Sequence, residues 1–279
     1  MLGSELVRVF GEAAQVTGAG RKDFDIRDAD AVRAALKAVK PDTVIHSAAF
    51  VRVDECEAER QLAFDVNTEG AANVARACRE IGARMVYIST DYVFDGAKGA
   101  AYVESDATHP INVYGESKLA GEKAVAEILP EAALARVSWL YGDHAGGAAA
   151  AVLRSARRLA EGEALRMPDD QRGCPTWTRE VAHQLVTVVA EGVSGIVHVV
   201  SGGGATRYEF ASELLEQLGL EVTLKACSVE ELGRAAPRPK DSRLANERLQ
   251  QAGCDQMLPW REALGAFLDQ YGDKLSHEV

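Results

Sequence analysis

Apolar and polar positions along the chain follow two periods in turn. Leu2, Leu6, Val9 and Phe10 recur at helical spacing while Ser4, Glu5 and Arg8 fill the other face, so the chain opens on an amphipathic helix. The stretch AAQVT (13–17) reads as a short strand. RDADAVRAALKAVKPD reads as a helix begun by Asp28 or Asp30 and stopped before Pro41. DTVIHSAA (42–49) is a continuous apolar run of strand length. EAERQLAFDVNTEGAANVARACREIG carries apolar residues at helical spacing and ends at Gly82, ahead of a second buried-type strand, ARMVYIST (83–90). A helix across YGESKLAGEKAVAEIL leads to the strand ALARVSW (133–139). This alternation predicts an α/β protein whose mostly parallel sheet is covered by helices on both faces, and right-handed crossovers make it doubly wound.

Beyond Gly142 the texture changes. GDHAGGAAAAV is small and flexible, MPDDQRGCPTW is turn-rich, and RAAPRPKDSR (234–243) sets two prolines among basic residues. Helical patterns at 178–191, 206–218 and 259–270 supply packing, and GIVHVVS (195–201) is placed to return to the main sheet. The division expected is a dinucleotide-binding, Rossmann-type domain from 1–141 and 178–200. A smaller, partly interleaved α/β substrate-binding region takes 142–177 and 201–279.

Composition narrows the partners. In the 279 residues, 31 Lys and Arg face 42 Asp and Glu, a formal net charge of -11, which disfavours nucleic acid or an anionic membrane surface as a partner. An anionic ligand must then meet local positive groups. The five cysteines are odd in number, widely spaced and without a C-x-x-C pair, so neither a disulfide framework nor a zinc site is expected, and no metal is assigned. No apolar run approaches the ~18 residues of a membrane span, and no secretory leader pattern is visible. The cytoplasm is the expected compartment, and a homodimer is left open.

The chemistry concentrates in YGESK. Tyr114 and Lys118 lie four apart, one turn from each other on one helix face. An ammonium beside a phenol favours the phenolate, so Tyr114 is expected to have a lowered pKa and to deliver a proton to a carbonyl oxygen, with Lys118 also able to bind a ribose hydroxyl. For an isolated Y-x-x-x-K, an exposed pair without function is the plainer reading. Here it follows a strand ending in YISTDYVFDG, whose Ser89 and Thr90 fall where a parallel strand meets the ligand crevice. Thr90 also fits a turn that binds only its own backbone. Upstream, HSAAF ends the preceding strand in small residues that let a flat cofactor approach, and Asn67 follows in the next helix, where a surface position is the plainer reading. TGAGRKDFDI has no carboxylate where an NAD-selective site places one on the ribose, and offers Arg21 and Lys22 instead, which favours NADPH while leaving NADH open.

The runs STDYVFDG, PINVYGESKLAGEKAV, ARVSWLYG, DQRGCPTW and PRPKDSRL, in this order, make the chain similar to the extended short-chain dehydrogenase/reductase family and, within it, to the dTDP-4-dehydrorhamnose reductases. The resemblance implies a catalytic triad of Thr90, Tyr114 and Lys118. It implies that Asp25 and Ile26 flank the adenine, that Ala48, Ala49, Phe50 and Val51 line the cofactor together with Asn67, and that Thr90, Asp91 and Trp139 touch a nucleotide sugar. The activity implied is NADPH-dependent reduction of the 4-keto group of dTDP-4-dehydro-L-rhamnose to dTDP-L-rhamnose. Arg238 and Arg243 are candidates for the substrate diphosphate, because guanidinium groups bind phosphate oxygens in pairs; a solvated loop or a salt bridge to the acidic body is the plainer alternative. MLG matches the end of the family's glycine fingerprint, so Leu2 and Gly3 are expected at the cofactor, with Gly3 the third glycine. The first strand and the first two glycines have no counterpart. The expectation is that the strands at 13–17 and 42–49 close on each other or that another segment fills the slot, with weakened cofactor binding. Two other readings stay open: a non-catalytic relative that binds a sugar nucleotide or a protein, and a nucleotide-sugar epimerase or dehydratase.

Overall fold

A computed structural model describes residues 1–142, 147–159 and 162–277. Helix α1 (Leu2–Phe10) turns Leu2, Leu6 and Val9 inward. Helix α2 (Ala29–Val39) begins at Asp28, whose carboxylate accepts from the amides of Asp30 and Ala31, and ends at Lys40 in the left-handed region just before Pro41. Strand β1 (Thr43–His46) follows. The predicted long helix arrives in pieces: α3 (Val53–Ala58), α4 (Arg60–Phe64), a π-helical turn at Asp65–Gly70, and α5 (Ala71–Ile81), closed by Gly82 at φ 73°. Then come β2 (Arg84–Thr90), α6 (Val113–Ile128) and β3 (Ala133–Val137).

The second half is built of short pieces around long helices. Its elements are β4 (Leu140–Tyr141), α7 (Ala148–Arg157), β5 (Leu165–Pro168), β6 (Arg172–Gly173), β7 (Thr176–Trp177), α8 (Thr178–Ala190) and β8 (Gly195–His198). After these run β9 (Ala205–Thr206), α9 (Arg207–Gln217), β10 (Leu224–Cys227), α10 (Glu247–Gln251) and α11 (Trp260–His277). The loop reading at 143–146 lies outside the described residues.

The main sheet runs β1-β2-β3-β8, all parallel, so GIVHVVS does return to it. One face buries Leu2, Leu6 and Val9 of α1 with Ile88, Val137, Val181 and Leu185; the other buries Val32, Leu36, Val74, Met85, Tyr87 and Val125. A separate core of Tyr141, Leu153, Leu165, Trp177, Phe210, Trp260 and Phe267 holds the second region together. The register sets Ile45 beside Val86, and Thr90 beside Val137, so the C-terminal ends of β1, β2 and β3 open on one crevice.

One expectation fails. Residues 13–20 form no strand and are exposed, and β1 lies at the sheet edge, so the two segments neither close on each other nor have the slot between them filled by another strand among the described residues. The physical reason is pairing: with no neighbouring strand, the Ala13 and Ala14 amides donate to the Phe10 carbonyl in a turn after α1, and the rest of AAQVT stays exposed to solvent. Among the described residues no helix is long and apolar enough to cross a membrane. No group of three or more His, Cys, Asp or Glu among them could hold a metal ion, and the five cysteines are free thiols.

Candidate active site

Helix α6 delivers the Tyr and Lys of YGESK to the end of β2. Asn112 caps it, its side-chain oxygen accepting from the Gly115 amide at 2.8 Å while its amide donates to the Pro237 carbonyl at 2.9 Å. Two glycines permit the close approach. A Cβ on Gly115 would sit 2.1 Å from the Tyr92 carbonyl oxygen, and one on Gly121 would sit 2.3 Å from the Asn67 carbonyl oxygen and 2.4 Å from the Tyr87 hydroxyl. Any larger residue at either position would push α6 away from Tyr92 or Tyr87 and displace Tyr114 and Lys118 with it.

Thr90, Tyr114 and Lys118 are thereby brought to one place. The Tyr114 hydroxyl comes within electrostatic reach of the Thr90 hydroxyl. Thr90 Oγ1 also accepts from the Tyr92 amide at 3.2 Å and donates to Asp91 Oδ1 at 3.1 Å, so it serves its own turn and the crevice at once. Lys118, 2% exposed, donates from Nζ to the Ile88 carbonyl at 2.7 Å and sits 4.0 Å from the centre of the Tyr87 ring. Burial draws its pKa down to about 7, against the field of Glu122. That glutamate is locked to Arg136 by paired bonds of 2.9 and 2.8 Å, both side chains fully buried. The tyrosine pKa runs opposite to expectation. Burial pushes Tyr114 above its ordinary value, with Thr90 opposing, because the crowded hydroxyl is desolvated and the Lys118 ammonium is engaged with Ile88.

On the expected cofactor side, Gly3 faces the end of β1, where a Cβ would meet Ser47 Oγ at 3.4 Å, whereas the Leu2 side chain belongs to the core. Ala48 is exposed, Ala49 and Phe50 are half-buried, and Val51 is 60% exposed, an apolar ledge beside the strand end. Asn67 is not a surface residue. It is buried on the π-helical turn, accepts from the Phe50 amide at 2.8 Å, and donates to the Phe50 carbonyl at 3.1 Å and to Ser117 Oγ at 2.9 Å. Its amide is therefore spent on holding the ledge against α6. Arg21 is exposed and in no ion pair among the described residues. Asp25 pairs with Arg27 through both oxygens, and the Ile26 carbonyl accepts from Asn73. The side chain of Ile26 packs over Gly70.

On the expected substrate side, Asp91 is buried and accepts from Ser138 and Ser242 at 3.0 and 2.6 Å; burial raises its pKa against these hydroxyls. Trp139 is held at φ 41°, a conformation rare for a bulky residue, with its ring against Gly173. The two candidate arginines are occupied. Arg238 donates to both oxygens of Asp54 at 2.6 and 2.8 Å, which holds that carboxyl at about 2, and Arg243 donates to both oxygens of Asp241 at 2.7 and 2.6 Å. A third cation, Arg207, was not singled out from the sequence. Its guanidinium lies 3.3 Å from the centre of the Trp139 ring. The available signal was its position: a cation opening a helix stands against the helix dipole.

A parallel sheet with a Tyr and Lys one helical turn apart, reaching a strand-end threonine, defines the class of the short-chain dehydrogenase/reductases. More narrowly, residues 1–272 match the RmlD substrate-binding domain, and the chain belongs to that family. It is 39% identical over 272 residues to a dTDP-4-dehydrorhamnose reductase of Streptomyces griseus, covering 95% of this chain and 88% of the relative. It is 37% identical to a dTDP-4-keto-6-deoxy-D-glucose reductase of Streptomyces niveus, covering 95% and 92%. The crystal structure of a Bacillus anthracis dTDP-4-dehydrorhamnose reductase in complex with NADP superposes with a TM-score of 0.92 at 34% identity, covering 96% and 95% of the two chains.

Proposed function

We propose that this chain is an NADPH-dependent reductase of a nucleotide-sugar ketone, converting dTDP-4-dehydro-L-rhamnose to dTDP-L-rhamnose. The observation that carries the reading is the convergence of Thr90, Tyr114 and Lys118 at the open end of β2. A dinucleotide suits the residues around it. The strand end is lined by small side chains, the ledge at 48–51 leaves apolar surface uncovered, and Ser89 Oγ is buried without a partner next to Thr90. Arg21 would take the 2'-phosphate, Asp25 and Ile26 the adenine, the 48–51 ledge the flat ring systems, and Lys118 a ribose hydroxyl.

When bound, the reduced nicotinamide supplies hydride to the ketone carbon. The chain's own task is to hold that carbonyl and protonate its oxygen. Tyr114, kept as a phenol by burial, is in the protonated form at neutral pH and gives its proton to the oxygen as negative charge builds there. Thr90 orients the phenol, and its one proton, held by Asp91 before substrate arrives, turns to the same oxygen. Lys118, anchored on the β2 backbone, places positive charge behind the tyrosine, where it favours the phenolate left after transfer. NADPH oxidation dependent on the nucleotide-sugar ketone, with the deoxysugar product identified by its stereochemistry at C4, tests the reading. Absence of turnover with cofactor demonstrably bound would overturn it.

A further inference from the structure

In an acidic protein, three arginines lie close together at the crevice. Tyr92 is near enough to both Arg207 and Arg238 to interact electrostatically, and its hydroxyl accepts from Gln171 at 3.5 Å; Arg234 lies close enough to repel Arg207. Only one carboxylate, Asp54, answers them on the outer side: it pairs with Arg238 and stands 3.9 Å from Arg234. Arg207 is left without an ion pair among the described residues. Asp91 attracts it but spends its oxygens on Thr90, Ser138 and Ser242. The guanidinium carbon lies over the Trp139 ring, and desolvation draws the arginine pKa down to about 10.

A half-buried cation with no ion pair among the described residues is partly stripped of water without a counter-charge, and so calls for a partner that arrives from outside. Two local costs are borne to keep it there: Arg207 opens α9, where the dipole disfavours a positive charge, and Trp139 beneath it is held at positive φ. The Tyr92 ring meets Tyr114 edge-on at 5.8 Å between centroids, so this group adjoins the proton donor. We infer that Arg207, stacked on Trp139 and backed by Tyr92, is the anion-binding residue that seats the diphosphate of the nucleotide-sugar substrate, in place of the already paired Arg238 and Arg243. The inference rests on the proposed function and deepens it by naming how the substrate is gripped.

Calorimetric titration with dTDP and with thymidine separates the diphosphate from the nucleoside. In Arg207→Met, which keeps a long apolar chain over the indole, dTDP affinity should fall roughly tenfold or more, the scale of a lost charge-assisted hydrogen bond, while thymidine binding stays within about twofold. Arg207→Lys should retain part of the dTDP affinity by keeping the charge. Circular dichroism checks the fold; if Arg207→Met does not fold, Arg207→Gln carries the same comparison without the charge. Undiminished dTDP binding, or parallel loss of thymidine and dTDP in a folded variant, overturns the inference. If the parent turns over the sugar ketone and Arg207→Met still binds dTDP fully, this inference alone falls. If the parent binds neither probe, the proposed function falls with it.

Discussion

Lys118 Nζ donates to the Ile88 carbonyl at 2.7 Å, two residues before Thr90 on the same strand. The ammonium is thus tied to the backbone that carries the site, and its burial brings its titration to about 7. The charged form is the one that favours the phenolate, so kcat/KM should fall as pH rises through about 7. Lys118→Arg, charged throughout that range, should remove this limb even if the rate is lower. A pH profile of ketone reduction that is flat from 6 to 8 in the parent contradicts the assignment.

Tyr114→Phe removes one hydroxyl and leaves the edge contact with Tyr92 in place. Turnover should drop roughly a hundredfold or more, the usual scale for a positioned acid, with KM for the nucleotide sugar little changed. Steady-state kinetics decide it, and turnover within twofold of the parent would remove Tyr114 from the proton step.

Glu122 and Arg136 are paired in the core at 3% and 1% side-chain exposure. Glu122→Gln leaves an arginine buried without its counter-charge, and should cost about 3–5 kcal/mol in urea unfolding. Because the Glu122 field holds the Lys118 pKa up, the same substitution should also move the Lys118 limb to lower pH. A limb that stays in place would mean that the pair serves stability only.

His46 and His198 are buried and held near 3 by desolvation. The unfolded chain binds protons there at about 6.5, so stability is full above that value and falls as pH drops from 6.5 toward 3. The slope approaches about 1.4 kcal/mol per pH unit for each histidine. Urea midpoints between pH 6.5 and 5 should show it, offset in part by Glu180, whose carboxyl burial raises to about 7, and His198→Gln should make the dependence shallower. An unchanged slope would place His198 in contact with water.

Arg21 is exposed and unpaired, beside the segment expected to flank the adenine. Arg21→Ala should lower the NADPH over NADH preference in kcat/KM, with little effect on thermal stability, since the side chain is exposed. Equal preference before and after would assign the 2'-phosphate to another group.

What the chain settles locally was legible in its residues. The i, i+4 spacing of Tyr114 and Lys118, the Asp28 start of α2 and the stop before Pro41 depend on neighbours within one or two turns. The apolar runs at 83–90 and 133–139 identify strands because both sheet faces must be covered. AAQVT shows the limit of such reading, since a strand exists only through its partners. Tertiary packing alone decided the charges and the grip. Lys118 and Tyr114 titrate away from their reference values because distant segments exclude water from them. Asn67 faces inward because α6 closes over it, Arg238 is claimed by Asp54 from a helix near the other end of the chain, and Arg207 finds Trp139 only when the second region folds back on the sheet. Spacing along a chain carries short-range hydrogen bonding and periodicity; desolvation and ion pairing depend on what lies nearby in space, which only the folded chain determines.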